Sequence, residues 1–201
     1  MTPFQLAAIP DALDWKNDPL DWSSDSGREL VITAGPATDW FVDPAGTYDK
    51  DNAPAALFSP PGGDFLLSAK VSVDFKSTFD AGVLQLRAAD DLWGKLCFEY
   101  SPQGQPMVVS VVTRRVSDDC NSSVIEGNVV HLRLSRSGKT FSFHYSTDGL
   151  IWQFVRYFSL GDPGSLQVGF SAQSPTGERC TVRFSDLAFR VGTLKDNRSG
   201  E

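Results

Sequence analysis

The chain has 201 residues, with 18 Lys and Arg against 25 Asp and Glu and a formal net charge of −7. That balance excludes the broad basic face a nucleic-acid partner needs and argues against an anionic membrane surface. No stretch approaches the roughly 20 apolar residues of a spanning helix, and no basic-then-apolar leader opens the chain. The expectation is one cytoplasmic all-β domain over residues 1–201, a length ordinary for a single sandwich.

The first sixty residues are irregular. Leu30 and Ile32, then Trp40-Phe41-Val42, read as short strands. Residues 43–54 read as a loop. Its Asp43, Asp49, Asp51 and Asn52 are oxygen donors that suit calcium, but their spacing is not that of an EF-hand, so a solvated, turn-rich loop is expected. From Phe65 the alternation is regular. Phe65, Leu67, Ala69, Val71 and Val73 sit on one face, with Ser68, Lys70 and Ser72 on the other, the period of a half-buried strand. The same period recurs through Gly82-Leu84-Leu86, Leu96-Phe98-Tyr100, Met107 to Thr113, Val130-Leu132-Leu134 and Phe141-Phe143-Tyr145. Trp152, Phe154 and Phe158 are expected on one face of the next strand, followed by strands at Leu166-Val168-Phe170 and Val182-Phe184. Ser137-Gly138-Lys139 and Asp148-Gly149 are expected to close hairpins, because glycine supplies the positive φ of a primed turn. The polar tail from about residue 195 is expected to fray. Many short strands with Gly- and Pro-rich turns and no amphipathic crossover predict an antiparallel two-sheet jelly-roll sandwich.

Most chemical motifs are missing. There is no G-x-S-x-G elbow, and Pro61-Gly62-Gly63-Asp64 precedes a strand rather than a phosphate-binding helix. His131 and His144 read as strand-surface histidines. Cys97, Cys120 and Cys180 match no zinc spacing; Cys97 is expected as a buried thiol and Cys120 in a polar loop. No metal site and no cofactor are expected. What remains is a polar sheet face. Gln85 and Arg87 share parity on one strand, and Trp93, Lys95, Cys97 and Glu99 share it on the next. Paired as a hairpin, these strands set Arg87, Trp93, Lys95 and Glu99 together, either as a salt-bridged solvent face or as an aromatic ring beside donors and acceptors, the arrangement a sugar requires.

Several segments occur together in a recognisable order. They are Thr38-Asp39-Trp40-Phe41-Val42-Asp43-Pro44, Phe79-Asp80-Ala81-Gly82-Val83-Leu84, Trp93-Gly94-Lys95-Leu96-Cys97-Phe98-Glu99-Tyr100, Thr113 with Ser117-Asp118, Tyr145-Ser146-Thr147-Asp148-Gly149 with Trp152, and Ser174-Pro175. This order resembles the family typified by a yeast regulator of enolase, an uncharacterised group within the concanavalin A-like lectin and glucanase superfamily. The resemblance runs from about Trp15 to Phe189. It implies a concave sheet face that holds carbohydrate, and it marks Asp39, Asp80, Arg87, Trp93, Lys95, Glu99, Thr113, Ser117 and Asp118. Where relatives continue Ser-Asp with Trp-Ser, this chain has Asp119-Cys120. The E-x-D-x-E strand motif of the glucanase branch is missing. The candidate ligand-binding set is therefore Gln85, Arg87, Trp93, Lys95, Glu99, Thr113, Ser117 and Asp118, with Trp40 or Trp93 stacking on a saccharide or related small polar ligand. A regulatory module for a metabolic enzyme and an enzyme acting on sugars, with Glu99 as acid or base, are the alternatives.

Overall fold

The computed structural model describes residues 1–161 and 164–201, and every regular element among them is a strand. Six strands are short: β1 (Asp14–Lys16), β2 (Asp21–Asp25), β3 (Glu29–Ala34), β4 (Trp40–Val42), β5 (Asp49–Asp51) and β6 (Ala55–Phe58). Longer strands follow: β7 (Phe65–Val73), β8 (Ala81–Ala89), β9 (Leu92–Tyr100), β10 (Pro106–Arg114) and β11 (Val116–Val124). The last five are β12 (Val129–Ser137), β13 (Thr140–Ser146), β14 (Gln153–Ser159), β15 (Gln167–Gln173) and β16 (Cys180–Val191). Two seven-stranded antiparallel sheets form. The first runs β1-β6-β15-β8-β9-β10-β11 and the second β14-β13-β12-β7-β16-β3-β2, while β4 and β5 pair as a separate small hairpin. This is the expected jelly-roll sandwich.

The inward parity of each strand supplies one shared core. Leu84, Leu86, Leu96, Phe98, Val168 and Phe170 of the first sheet meet Leu67, Val71, Leu132, Phe143 and Phe184 of the second, with Phe170 and Phe184 ring centroids 5.2 Å apart. The sheets approach closely at Gly82. A Cβ there would lie 2.5 Å from Val71 Cγ1 and 2.6 Å from Val182 Cγ1, so a side chain at this position must push the sheets apart.

Four local expectations are corrected. Residues 43–54 are not all loop, because Asp49–Asp51 pairs with Trp40–Val42. Cys120 lies within β11, whose polar composition hides its alternation because it is an edge strand, paired to β10 alone; Cys97 and Cys180 are buried free thiols. Asp148-Gly149 does not close a tight primed turn. The connection runs from residue 147 to 152, and the Asp148 carboxylate accepts from the Leu150 and Ile151 amides at 2.8 and 2.9 Å. Trp152, Phe154 and Phe158 do not share a face. The pairing of β13 with β14 slips between Phe143 and His144, which leaves Phe158 on Phe143 inside (4.9 Å between centroids) and Phe154 against His144 outside (6.0 Å).

The tail is also ordered rather than frayed. Arg133 Nη2 donates to the Gly200 carbonyl at 2.7 Å, and His144 Nε2 donates to the Asn197 carbonyl at 2.8 Å. Two buried outer-face side chains thus find acceptors in the tail backbone. Burial, with Arg133 alongside, pushes the His144 imidazole down to about 4 against the opposing pull of the Asn197 hydrogen bond, so it stands neutral with its proton on Nε2.

Overpacking a tight core site costs about 1–3 kcal/mol. The Gly82→Ala variant is therefore expected to lose stability of that order in chemical denaturation, with the slope against denaturant unchanged.

Candidate functional site

On the outer face of the first sheet, the register lays Gln85 opposite Lys95, Arg87 opposite Trp93 and Ala81 opposite Glu99. Continuing outward, Lys95 faces Val111 and then Asp119, while Trp93 faces Thr113 and then Ser117. The β4–β5 hairpin lies over half of this face. Its Val42 amide donates to Ser117 Oγ at 2.9 Å, and Ser117 Oγ is 2.8 Å from Thr113 Oγ1. Trp40 Nε1 donates to the Ala53 carbonyl at 2.8 Å, and its ring meets Trp93 edge-on at 6.1 Å. The Arg87 guanidinium sits 4.9 Å from the Trp40 ring centre and bonds Asp90.

Beside this covered half is a hollow of about 400 Å³. Its floor carries Lys95, Glu99, Val109 and Val111, and its walls carry Asp39, Phe41, Tyr48, Phe79, Asp119 and Gln173. Lys95 is buried and donates at 2.9 Å both to Asp39 Oδ1 and to Gln173 Oε1. Burial would lower its ammonium, but Asp39, Cys97 and Glu99, with the Asp39 hydrogen bond, together raise it. Burial pushes the Glu99 carboxyl up to about 8; Asp39 and Asp119 add to this and Lys95 opposes it. Tyr48 points its hydroxyl at Asp39 Oδ2, 3.4 Å away, and is pushed up to about 12 by burial first and the Asp39 charge second.

Phe79 overhangs the rim in a costly conformation. Its φ is +70°, a region bulky residues avoid. The turn is over-determined. The Asp80 carboxylate, fully buried, accepts from the Lys76 and Ser77 amides at 3.0 and 2.9 Å and from the Ser174 hydroxyl at 2.7 Å. Phe79 itself donates its amide to the Tyr100 carbonyl at 2.7 Å and accepts from Gln173 Nε2 at 3.1 Å. Strain held in this way is found at ligand-contacting positions.

The sequence-derived candidates therefore divide. Lys95 and Glu99 reach the hollow. Trp40 and Trp93, expected to stack on a ligand, are each 1 % exposed, sealed by the hairpin. Gln85 and Arg87 are buried alongside them, Gln85 with neither amide atom bonded to protein, and Thr113 and Ser117 fasten the hairpin down. Asp118 is corrected outright. It has the parity of Val112 and turns to the sandwich edge, where Arg156 Nη2 meets Asp118 Oδ2 at 3.0 Å. Its neighbour Asp119 takes the place in the hollow. Asp119 and Gln173 were within reach of parity reasoning once β11 and β15 were drawn, but no local pattern announces Phe79 or Tyr48. In the 43–48 turn, Asp43 bonds Thr47 and the Ala45 amide, which lowers its carboxyl. Among the described residues no group of three or more His, Cys, Asp or Glu is placed to hold a metal ion.

A sandwich with a walled hollow on one sheet face is the class of protein these features define. The chain belongs to the family described as "Protein of unknown function (DUF1349)", which its residues 15–191 match. It is similar to a solved Saccharomyces cerevisiae protein described as functionally unknown, at 21 % identity and TM-score 0.81, covering 95 % of this chain and 100 % of that one. It is also similar to the GH43 protein BlXynB of Bacillus licheniformis (16 %, TM-score 0.70), with 89 % of this chain matched to 37 % of that longer one. A third likeness is to the alginate lyase of Klebsiella pneumoniae (14 %, TM-score 0.58), covering 85 % and 84 %. At these identities the likeness is one of fold. No curated protein matches the chain.

Two outcomes follow for stability. Removing one member of a buried ion pair costs about 3–5 kcal/mol, so Lys95→Met is expected to lower the midpoint of unfolding sharply, and adding Asp39→Asn to recover part of the loss. Glu99 is raised above its unfolded value of 4.5 to about 8, so the folded state holds its proton longer, and stability is lost as pH rises from 4.5 through 8. Glu99→Gln, which mimics the protonated form, is therefore expected to gain stability over the parent at pH 9 and to match it near pH 4.5, read by thermal unfolding across that range.

Proposed function

We propose that the hollow binds a carbohydrate or related small polar ligand. The observation that carries this reading is a site of about 400 Å³, within the 300–1,000 Å³ typical of small-molecule pockets, in which two partly exposed aromatic residues, Phe41 and Phe79, lie among a few polar groups. The rings of Phe79 and Phe41 replace the buried tryptophans as stacking surfaces, and the Lys95 ammonium and the Glu99 and Asp119 carboxyls supply hydrogen bonds to hydroxyls. Structures of similar fold include the GH43 protein BlXynB and a xylan β-1,4-xylosidase, which supports a sugar-related role without assigning a reaction. The order of motifs from Thr38 to Pro175 supports placing the chain nearer the enolase-regulator group.

A second reading, an enzyme acting on sugars, is favoured by the placement of Glu99 on the floor of the hollow, with no hydrogen-bond partner among the described residues. A carboxyl held at about 8 is protonated at neutral pH and suited to general-acid work.

Ligand that binds only the native state raises its stability. A panel of neutral xylo-, gluco- and manno-oligosaccharides is expected to include at least one that raises the unfolding temperature saturably. The Phe79→Asn variant keeps a residue tolerant of positive φ but removes the ring, and is expected to weaken that binding about tenfold, the effect of losing about 1.4 kcal/mol. A panel without any stabilising saccharide sinks the proposal. Bound sugar that the parent turns over and Glu99→Gln does not would promote the second reading.

A further inference from the structure

Among the described residues that wall the hollow, four carboxyls, Asp39, Asp43, Glu99 and Asp119, stand against one ammonium, Lys95. Two of the four are already satisfied. Asp39 takes the Lys95 ammonium and the Trp40 amide, and Asp43 takes Thr47 and the turn amides. Lys95 in turn spends two of its three donors on Asp39 and Gln173. The side chains of Glu99 and Asp119 make no hydrogen bond or ion pair with any described residue, and both line the hollow, Glu99 half-buried and Asp119 exposed, with their acceptors open to a ligand.

We infer that the hollow selects a hydroxylated ligand bearing a protonated amine, an unacetylated amino sugar ahead of neutral, N-acetylated or uronic sugars; this rests on the saccharide reading above. An ammonium brings three donors and a positive charge to two acceptors that have neither, and the rings of Phe41 and Phe79 at the same opening attract cations through their faces. Burial together with Asp39 and Asp119 holds the Glu99 proton in the empty site; a ligand ammonium beside it displaces that proton to solvent. A uronate or phosphorylated sugar sets like charge against Asp119 and supplies no cation to draw the proton off Glu99, and N-acetylation removes the charge and two of the three donors. A bare divalent cation is a poor substitute, because calcium takes six to eight oxygen ligands and the described carboxyls are not grouped to supply them.

The test is calorimetric titration at pH 6.5 and low salt with glucosamine, glucose, N-acetylglucosamine and glucuronate. The parent is compared with Glu99→Gln and with Asp119→Asn, an exposed site whose replacement does not threaten folding. Glucosamine is expected to bind at least fivefold more tightly than glucose, with glucuronate weakest. Each variant is expected to narrow the glucosamine-to-glucose ratio severalfold, and raising salt to about 0.5 M to narrow it in the parent, since screening weakens partly exposed charge pairs. Equal affinity for glucosamine and glucose, or tighter glucuronate, overturns the amine selectivity and leaves the saccharide reading standing. Failure of all four probes together with the neutral oligosaccharide panel overturns both.

Discussion

The outer face of the first sheet is organised by the contact between Lys95 and Asp39. Lys95 comes from the middle of β9 and Asp39 from the residue before β4, 56 positions apart in sequence. An ammonium at this depth needs a partner, because an uncompensated charge out of water costs several kcal/mol. Asp39 supplies one and brings the hairpin with it. Its Oδ1 also accepts the Trp40 amide at 2.7 Å, and its carbonyl accepts the Asn52 and Ala53 amides, both at 3.1 Å. One buried pair therefore decides where the hairpin lies, which half of the sheet it seals and which half stays open. Gln173 extends the arrangement to the Phe79 turn, since its two amide atoms join Lys95 to the Phe79 carbonyl.

The sealed half explains why the tryptophans of this sheet face do not line the hollow. Trp40, Trp93 and Val111, with Ala53, form a small apolar cluster of their own, separate from the main core. The large rings give a three-residue hairpin strand enough apolar contact to hold its place. The phenyl rings that line the hollow are instead Phe41, within the β4 strand of the hairpin, and Phe79, on a loop turn whose backbone is held by Asp80 and Gln173.

How much of this was legible in the letters follows from the range of each interaction. Alternation in β7, β8, β9 and β12 is a local property, and it correctly gave inward and outward faces, the sandwich, and the facing of Lys95 and Glu99. It is silent where composition is uniformly polar, as in β11, so nothing in the strand's own pattern checked Asp118, which the family resemblance marked, against its neighbour Asp119. It failed where pairing slips by a residue, as between β13 and β14, which turned Phe154 outward. Parity also says nothing about what covers a face. The burial of Trp93 and Arg87 depends on a hairpin fifty residues upstream, and the conformation of Phe79 depends on Asp80 reaching Ser174, 94 positions away.

The link between Arg156 and Asp118 joins β14 to β11, the last strand of each sheet on the same side of the sandwich, and Arg114 adds a second tie to the Ser159 carbonyl at 2.5 Å. Open strand edges invite another chain to continue the ladder. A second copy adding itself antiparallel along β11 with its pairing centred on Asp118 and Asp119 would set these carboxylates against their own counterparts, a like-charge juxtaposition that sheets disfavour. The same carboxylate that holds the rim together thus discourages fibre-like growth from it.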